Sequence, residues 1–326
     1  RSCSLPAGVT IDRSFVSLPS AAMSAIDLAK LVFLAAIWGG SFIFLRVAVP
    51  ELGPIFTAML RTSLAGVALF LFASMAGVTM NWRRNTKAFA IVGLFATALP
   101  FSCFSFASLY LPATYSALLN STAPLFGALF SVLWLAERLT LRKLAGLALG
   151  MAGVAVLVGA GALALDVKTL LAAAACLFAA ASYAVSSIIV KKTGRPELGV
   201  SGGVHPIAMA AGSMAWGALI MAPTIPFTLP AVVPSAMALS CVTALSLLSS
   251  GIAQAIFIPL IVRIGPTRAM SVSFLIPLFS MLWGLVFLHE AVQVSTLIGG
   301  AIVLAAMGLV LSATHPEPED VLTAET

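Results

Sequence analysis

Ten stretches of this chain, at about residues 28–48, 54–77, 88–109, 112–135, 144–163, 167–190, 205–226, 234–262, 268–288 and 295–313, are apolar almost throughout. Short polar or Gly/Pro breaks separate them. A helix needs about 20 residues to cross roughly 30 Å of hydrocarbon, and each run is close to that length or longer. The runs are continuous and rich in Leu and Ala, without the alternation of apolar and polar residues that membrane-spanning strands need. The fold class that follows is all-α and integral to a membrane, with ten transmembrane helices. Only 9% of the residues are charged, against about 25% in a soluble domain. That leaves no polar surface for a large catalytic domain outside the bilayer. Leu109 and Pro112 mark the tightest break, and the run 234–262 is long enough to be kinked, tilted or partly outside the lipid.

The formal charge of +6 would hint at nucleic acid in a soluble protein, but in a membrane chain a basic excess records orientation. No nucleic-acid partner is expected. Arg83, Arg84 and Lys87, then Arg138, Arg142 and Lys143, then Lys191, Lys192 and Arg195, then Arg263 and Arg268 fill the even-numbered connections. The odd-numbered side offers Arg46 and Lys168. With Arg1, Arg13 and Lys30 ahead of the first helix, this places both termini in the cytoplasm.

Residues 1–27 read as an N-terminal extension without order. They hold no apolar run of signal-peptide length, and Met23, followed by Ser-Ala-Ile-Asp, is a candidate biological start. Residues 314–326 follow the same composition logic as a disordered tail, with His315-Pro-Glu-Pro-Glu-Asp at its head. Of the four cysteines, Cys103, Cys176 and Cys241 lie inside apolar runs without CxxC or Cys/His spacing, and Cys3 lies in the extension. They read as small hydrophobes, and neither a metal nor a cofactor is expected.

The two halves of the chain match. At a constant shift of 153 residues, Thr114 falls on Thr267, Pro124 on Pro277, Leu125-Phe126 on Leu278-Phe279, Leu135 on Leu288, Glu137 on Glu290 and Gly146 on Gly299. At a shift of 145, Trp38, Ser41 and Arg46 fall on Tyr183, Ser186 and Lys191. The expected organisation is a first five-helix unit over residues 28–163 and a second over 164–313. Five is odd, so the second unit crosses the membrane in the opposite sense, giving an inverted repeat of the kind that opens alternately to either side.

Ala-Ala-Ile-Trp38-Gly-Gly-Ser-Phe in the first helix, Arg61 in the second, Ala117-Leu-Leu-Asn-Ser-Thr-Ala-Pro124 through Trp134-Leu-Ala-Glu137-Arg-Leu-Thr140, and Gly146 together resemble the drug/metabolite transporter superfamily. The same residues look like its EamA-type domain, and Pro277 to Glu290 looks like the second copy. The resemblance covers about residues 28–313. It implies a ten-helix permease of the cell inner membrane, commonly an exporter of small metabolites such as amino acids. Tyr183 stands where the second copy often carries Trp.

The residues themselves suggest where a solute binds. Proline inside a helix leaves the carbonyl four residues earlier without its hydrogen bond. Pro124 would free that of Asn120, and Pro277 that of Ser273, in equivalent helices. Freed carbonyls in lipid need a protein, water or ligand partner, so Asn120 and Ser273 are candidate solute contacts and Pro124 and Pro277 candidate hinges. The alternative is that the prolines only kink their helices. Arg61, about seven residues into its helix, suits a substrate carboxylate; otherwise it snorkels, pairs with Glu51 or ties helices together. Gln254 is a further polar candidate. Trp38 and Tyr183 would be aromatic walls of the cavity or plain packing.

Glu137 and Glu290 read as helix caps or acceptors for nearby donors. Gly146 and Gly150 form a GxxxG that allows close helix contact and would also suit a homodimer. No Asp or Glu falls at the predicted centre of the bilayer, so the sequence gives no support for a proton relay. A transporter of small solutes fits best. A passive channel would need a charged ring or filter that is not evident, and an intramembrane enzyme lacks HExxH, GxGxxG and phosphate-loop motifs.

Overall fold

The computed structural model describes residues 24–135, 140–159, 166–193, 204–264 and 272–312. Residues 1–23 of the extension, the C-terminal tail and Glu137 lie outside these residues, as does the side chain of Ser273, whereas Ser24 to Asp27, read from the sequence as the end of a disordered extension, cap and open the first helix. All regular structure among the described residues is helical.

Helix α1 runs Ala25–Leu52. It starts on a capping box, in which Ser24 Oγ accepts from the Asp27 amide and Asp27 Oδ2 accepts from the Ser24 amide. It stops at Gly53, whose φ of +75° turns the chain, and Pro54 opens α2 (Pro54–Met75) in the first-turn position where proline costs no hydrogen bond. Helix α3 (Trp82–Gly93) continues through a π-helical segment, Leu94–Ala98, into α4 (Leu99–Ala107). Next come α5 (Ala113–Asn120), α6 (Ala123–Leu135), α7 (Leu141–Gly159) and α8 (Val167–Thr193). Helix α9 (Pro206–Met221) leads to the short α10 (Ile225–Thr228), and α11 (Ala236–Ala244) passes through a second π-helical segment, Leu245–Ile252, into α12 (Ala253–Ile264). Helices α13 (Val272–Leu288) and α14 (Val294–Ser312) complete the order.

Six helical stretches among the described residues are long and apolar enough to cross a membrane: Ala25–Leu52, Pro54–Met75, Trp82–Ala107, Val167–Ser186, Pro206–Thr228 and Ala236–Phe257. Leu144–Gly153, Leu275–Leu288 and Val294–Ala306 are shorter apolar helices. Large apolar side chains such as Leu71, Met75, Phe178 and Phe287 point outward, as a lipid-facing surface requires.

The run 112–135 is not one helix. The helical hydrogen bonding lapses at Ser121 and Thr122, whose hydroxyls donate to the carbonyls of Leu118 and Leu119 at 2.7 and 2.6 Å. Pro124 therefore sits in the first turn of α6, where the ring is tolerated, and not in a kinked helix interior as the sequence suggests. Pro277 does lie inside α13.

Helix α1 packs on α13, and α8 packs on α6; α2 packs on α9, and α7 on α14. Small residues permit the closest of these approaches. A Cβ on Gly39 of α1 would lie 2.8 Å from both Phe279 Cβ and Ser280 N of α13, and one on Gly153 of α7 would lie 2.9 Å from Ile302 Cγ2 of α14. The main core gathers Leu31, Leu34 and Leu45 of α1 with Leu118, Cys176, Leu245 and Ile276.

Candidate functional site

A cavity of about 530 Å³ opens between residues of α1 to α6, α8, α9, α12, α13 and both π-helical segments. Trp38, Arg61, Asn120, Pro124, Tyr183 and Gln254 all line it. Six of the eight residues singled out in the sequence are thus brought together from widely separated positions. Pro277 is buried in α13 and is not part of the lining, although its neighbour Ile276 is.

Arg61 is only 7% exposed. Its Nε donates to Ser250 Oγ at 2.9 Å, and its guanidinium carbon lies 3.7 Å from the centroid of the Phe101 ring. Glu51, the partner carboxylate the sequence offers, is engaged elsewhere: it accepts from the backbone N–H and hydroxyl of Ser235 at 2.6 and 2.8 Å. Arg61 therefore neither snorkels to the surface nor pairs with Glu51. It is a buried cation steadied by one hydroxyl and one aromatic face.

The aromatic residues are fixed by polar contacts at their edges. Trp38 donates its indole N–H to the Ser249 carbonyl at 3.0 Å and meets Phe257 edge-on, with centroids 5.0 Å apart. Tyr183 stacks on Phe104 at 6.3 Å. Asn120 is the last residue of α5, and its Oδ1 is buried without a hydrogen-bond partner. An acceptor in that condition costs on the order of 1–3 kcal/mol.

Residues that sequence reasoning missed complete the wall. Thr97 comes from the first π-helical segment and Ser249 and Ser250 from the second, with Ser213 from α9. A π-helical turn widens the helix and re-aims side chains, and such turns are frequent at functional sites. The adjacent serines and Gly251 within an otherwise apolar run were the available signal.

A second cluster lies apart from this lining. The Glu290 carboxylate accepts from the Ala113 amide at the start of α5, with both oxygens at 3.0–3.1 Å, and Arg46 Nε stands 3.6 Å away. Arg46 also donates to the Ser108 carbonyl at 2.8 Å. His289 adopts a left-handed φ of +53°, and the Glu290 amide closes back on the Gly284 carbonyl at 3.0 Å, a helix end turned by one left-handed residue. Glu290 thus caps a helix of the first half of the chain, where the sequence suggested a cap for the helix after it or an acceptor for nearby donors. Cys103, Cys176 and Cys241 are free thiols, and no group of His, Cys, Asp and Glu suited to a metal stands together among the described residues.

The sequence profile of the EamA-like transporter family matches residues 28–159 and 169–312. An uncharacterized transporter of Bacillus subtilis, YvbV, is 27% identical over 86% of this chain and 90% of its own length. A probable terminal-alkyne amino-acid exporter of Streptantibioticus cattleyicolor is 24% identical over 86% and 91%, and the protein PecM of Dickeya dadantii is 24% identical over 85% and 90%. A solved crystal structure with 24% sequence identity superimposes with a TM-score of 0.60, covering 88% of this chain and 96% of that one, so the two share a fold. The all-helical membrane architecture, the solute-sized cavity and the extent of the profile match agree: this chain belongs to the EamA-like transporter family.

Proposed function

We propose that the protein carries small metabolites, amino acids or related compounds among them, out of the cell across the inner membrane by alternating access. In this reading residues 28–163 and 164–313 are two inverted five-helix halves in a ten-helix permease, with both termini cytoplasmic. The observation that carries it is the cavity itself: a buried cation, an unpartnered acceptor and an aromatic wall meet where segments from both halves converge. A relative named as a probable amino-acid exporter agrees with solutes of that size and polarity.

The helix pairing supports two related halves. Helix α1 packs on α13 as α8 packs on α6, while α2 and α9, and α7 and α14, pair with each other. Under the sequence shifts these contacts exchange with one another. The two π-helical segments also fall in corresponding helices and both feed the cavity.

The lining extends to Val204 and Pro206, next to the sixth, Lys/Arg-rich connection that reads as cytoplasmic. The Arg46–Glu290–Ala113 junction joins α1, α5 and the end of α13 next to odd-numbered, outer connections. Access from the cytoplasm with the outer side held shut is the state this arrangement fits, and opening outward requires Glu290 to leave Ala113. Solute lodged at Arg61 and Asn120 would shift the balance between the two states only through contacts that differ between them.

Counterflow in proteoliposomes tests the proposal. Purified protein should exchange internal for external amino acids or related metabolites with saturation and trans-stimulation. Linear flux at electrophysiological rates would instead make it a channel.

A further inference from the structure

Taking the cavity as the solute site, its charge decides what it holds. Arg61 is the only charged residue among the described lining residues. A guanidinium offers five N–H donors in a planar fork. Nε–H is given to Ser250, and Phe101 covers one face. Neither contact occupies the two terminal NH₂ groups, and no described residue accepts from them. The ion pair formed among the described residues is Arg46 with Glu290, not Arg61 with any carboxylate.

A buried cation without a counter-ion is costly, and that cost is relieved by a ligand bringing negative charge. Ser250 and Phe101 fix the guanidinium plane before the ligand arrives, so the ordering cost of binding is already met. What remains available is the paired NH₂ edge, which matches the two oxygens of a carboxylate in a bidentate contact.

The second polar pole is neutral. Asn120 Oδ1 is an acceptor without a partner. It can take a hydroxyl, amide or amine donor, but it does not call for a positive charge. An amine lacking a carboxylate would meet Arg61 as a like charge. The same lining holds Phe42, Phe104, Tyr183 and Phe257, which reward an apolar or aromatic body.

We propose that the solute is recognised as a carboxylate with an apolar or aromatic body, held by the free edge of Arg61, and that an amino group is not required. This rests on the cavity being the transport site, and it narrows the solutes from amino acids in general to a class defined by the carboxylate.

Thermal stability of the purified protein, measured with graded phenylpropionate, free phenylalanine and phenethylamine, tests it. Phenylpropionate and phenylalanine should both raise the melting temperature, while phenethylamine should not at concentrations where phenylpropionate saturates. Arg61→Gln should weaken phenylpropionate binding roughly 10- to 100-fold, the loss of a hydrogen-bonded charge. Arg61→Lys should recover only part of this, because a compact ammonium lacks the fork.

Stabilisation by phenethylamine equal to that by phenylpropionate overturns the proposal, as does unchanged phenylpropionate affinity in Arg61→Gln or no binding of any of the three. If Arg61→Gln does not fold, the three-ligand comparison on the unmutated protein still decides. Counterflow restricted to solutes without a carboxylate would sink this specificity and leave transport standing. Absence of counterflow with every solute would sink transport itself.

Discussion

Arg61 and Asn120 are held at the cavity in opposite ways, and the difference is measurable. Arg61 has two partners that stabilise it in the folded protein, so Arg61→Gln combines loss of binding with loss of packing. Asn120 Oδ1 has none, and removing an unsatisfied buried acceptor relieves a desolvation cost. Asn120→Ala should therefore leave the melting temperature unchanged or raised while lowering solute flux at least about tenfold, the worth of one good hydrogen bond. Lowered stability with full flux would assign Asn120 to the framework. At Asp166, outside the membrane-spanning segments, the carboxylate accepts from Thr169, including its amide at 2.8 Å, and these hydrogen bonds hold its pKa below the usual aspartate value. A depressed pKa means the cap contributes stability above the unfolded pKa, near 3.9, and loses it as pH falls through the folded value. The protection factors of amides 167–169, taken against the intrinsic exchange rate at each pH, should fall on acidification below about pH 4, and Asp166→Asn, which caps without titrating, should abolish that loss of protection.

The helical runs were legible because a bilayer demands long apolar segments, and every run read from the sequence overlaps a described helix. Interruptions within the runs were not. Pro124 signals a disturbance but cannot by itself distinguish a kink from a restart, since proline is tolerated in a first turn. What decides is that Ser121 and Thr122 bond backward to Leu118 and Leu119 and end α5. Ser250 escaped notice for a different reason: its importance comes from Arg61, 189 residues away, and no local pattern announces such a pair. The glycine pattern was read at Gly146 and Gly150, and a Cβ on Gly150 would strike Leu125 of the same chain, so Gly150 is already occupied by internal packing. Gly39→Ala should force α1 from α13 and cost about 1–3 kcal/mol. Gly127→Ala, with nothing within 4 Å of the added Cβ, should be neutral or slightly stabilising. Thermal unfolding of the two variants side by side checks the contrast; equal effects would mean that helix propensity and not interhelical contact controls both.

At the scale of the whole molecule, carrier and channel differ in whether the cavity is ever reachable from both sides at once. Glu290 is the connection on which this turns. It holds the start of α5 and the Arg46 side chain of α1 to the end of α13, and Gly284 leaves room for it, since a Cβ there would lie 2.9 Å from Glu290 Oε2. Removing the carboxylate leaves the Ala113 amide and Arg46 without that acceptor, while the contacts of Arg61 with Ser250 and Phe101 are untouched. With Cys3, Cys103, Cys176 and Cys241 replaced, a single cysteine at Ser41, which lines the cavity, can be probed with a membrane-impermeant thiol reagent from each side of oriented vesicles. In the otherwise unaltered protein, labelling should come mainly from the side of Val204 and Pro206. Glu290→Ala should raise labelling from the opposite side and reduce it from the first, because a carrier trades one access for the other. Glu290→Gln, whose amide oxygen still accepts from Ala113 but cannot pair with Arg46 as an ion, should fall between. If Glu290→Ala raises labelling from one side and leaves the other undiminished, the cavity is open through, and alternating access fails.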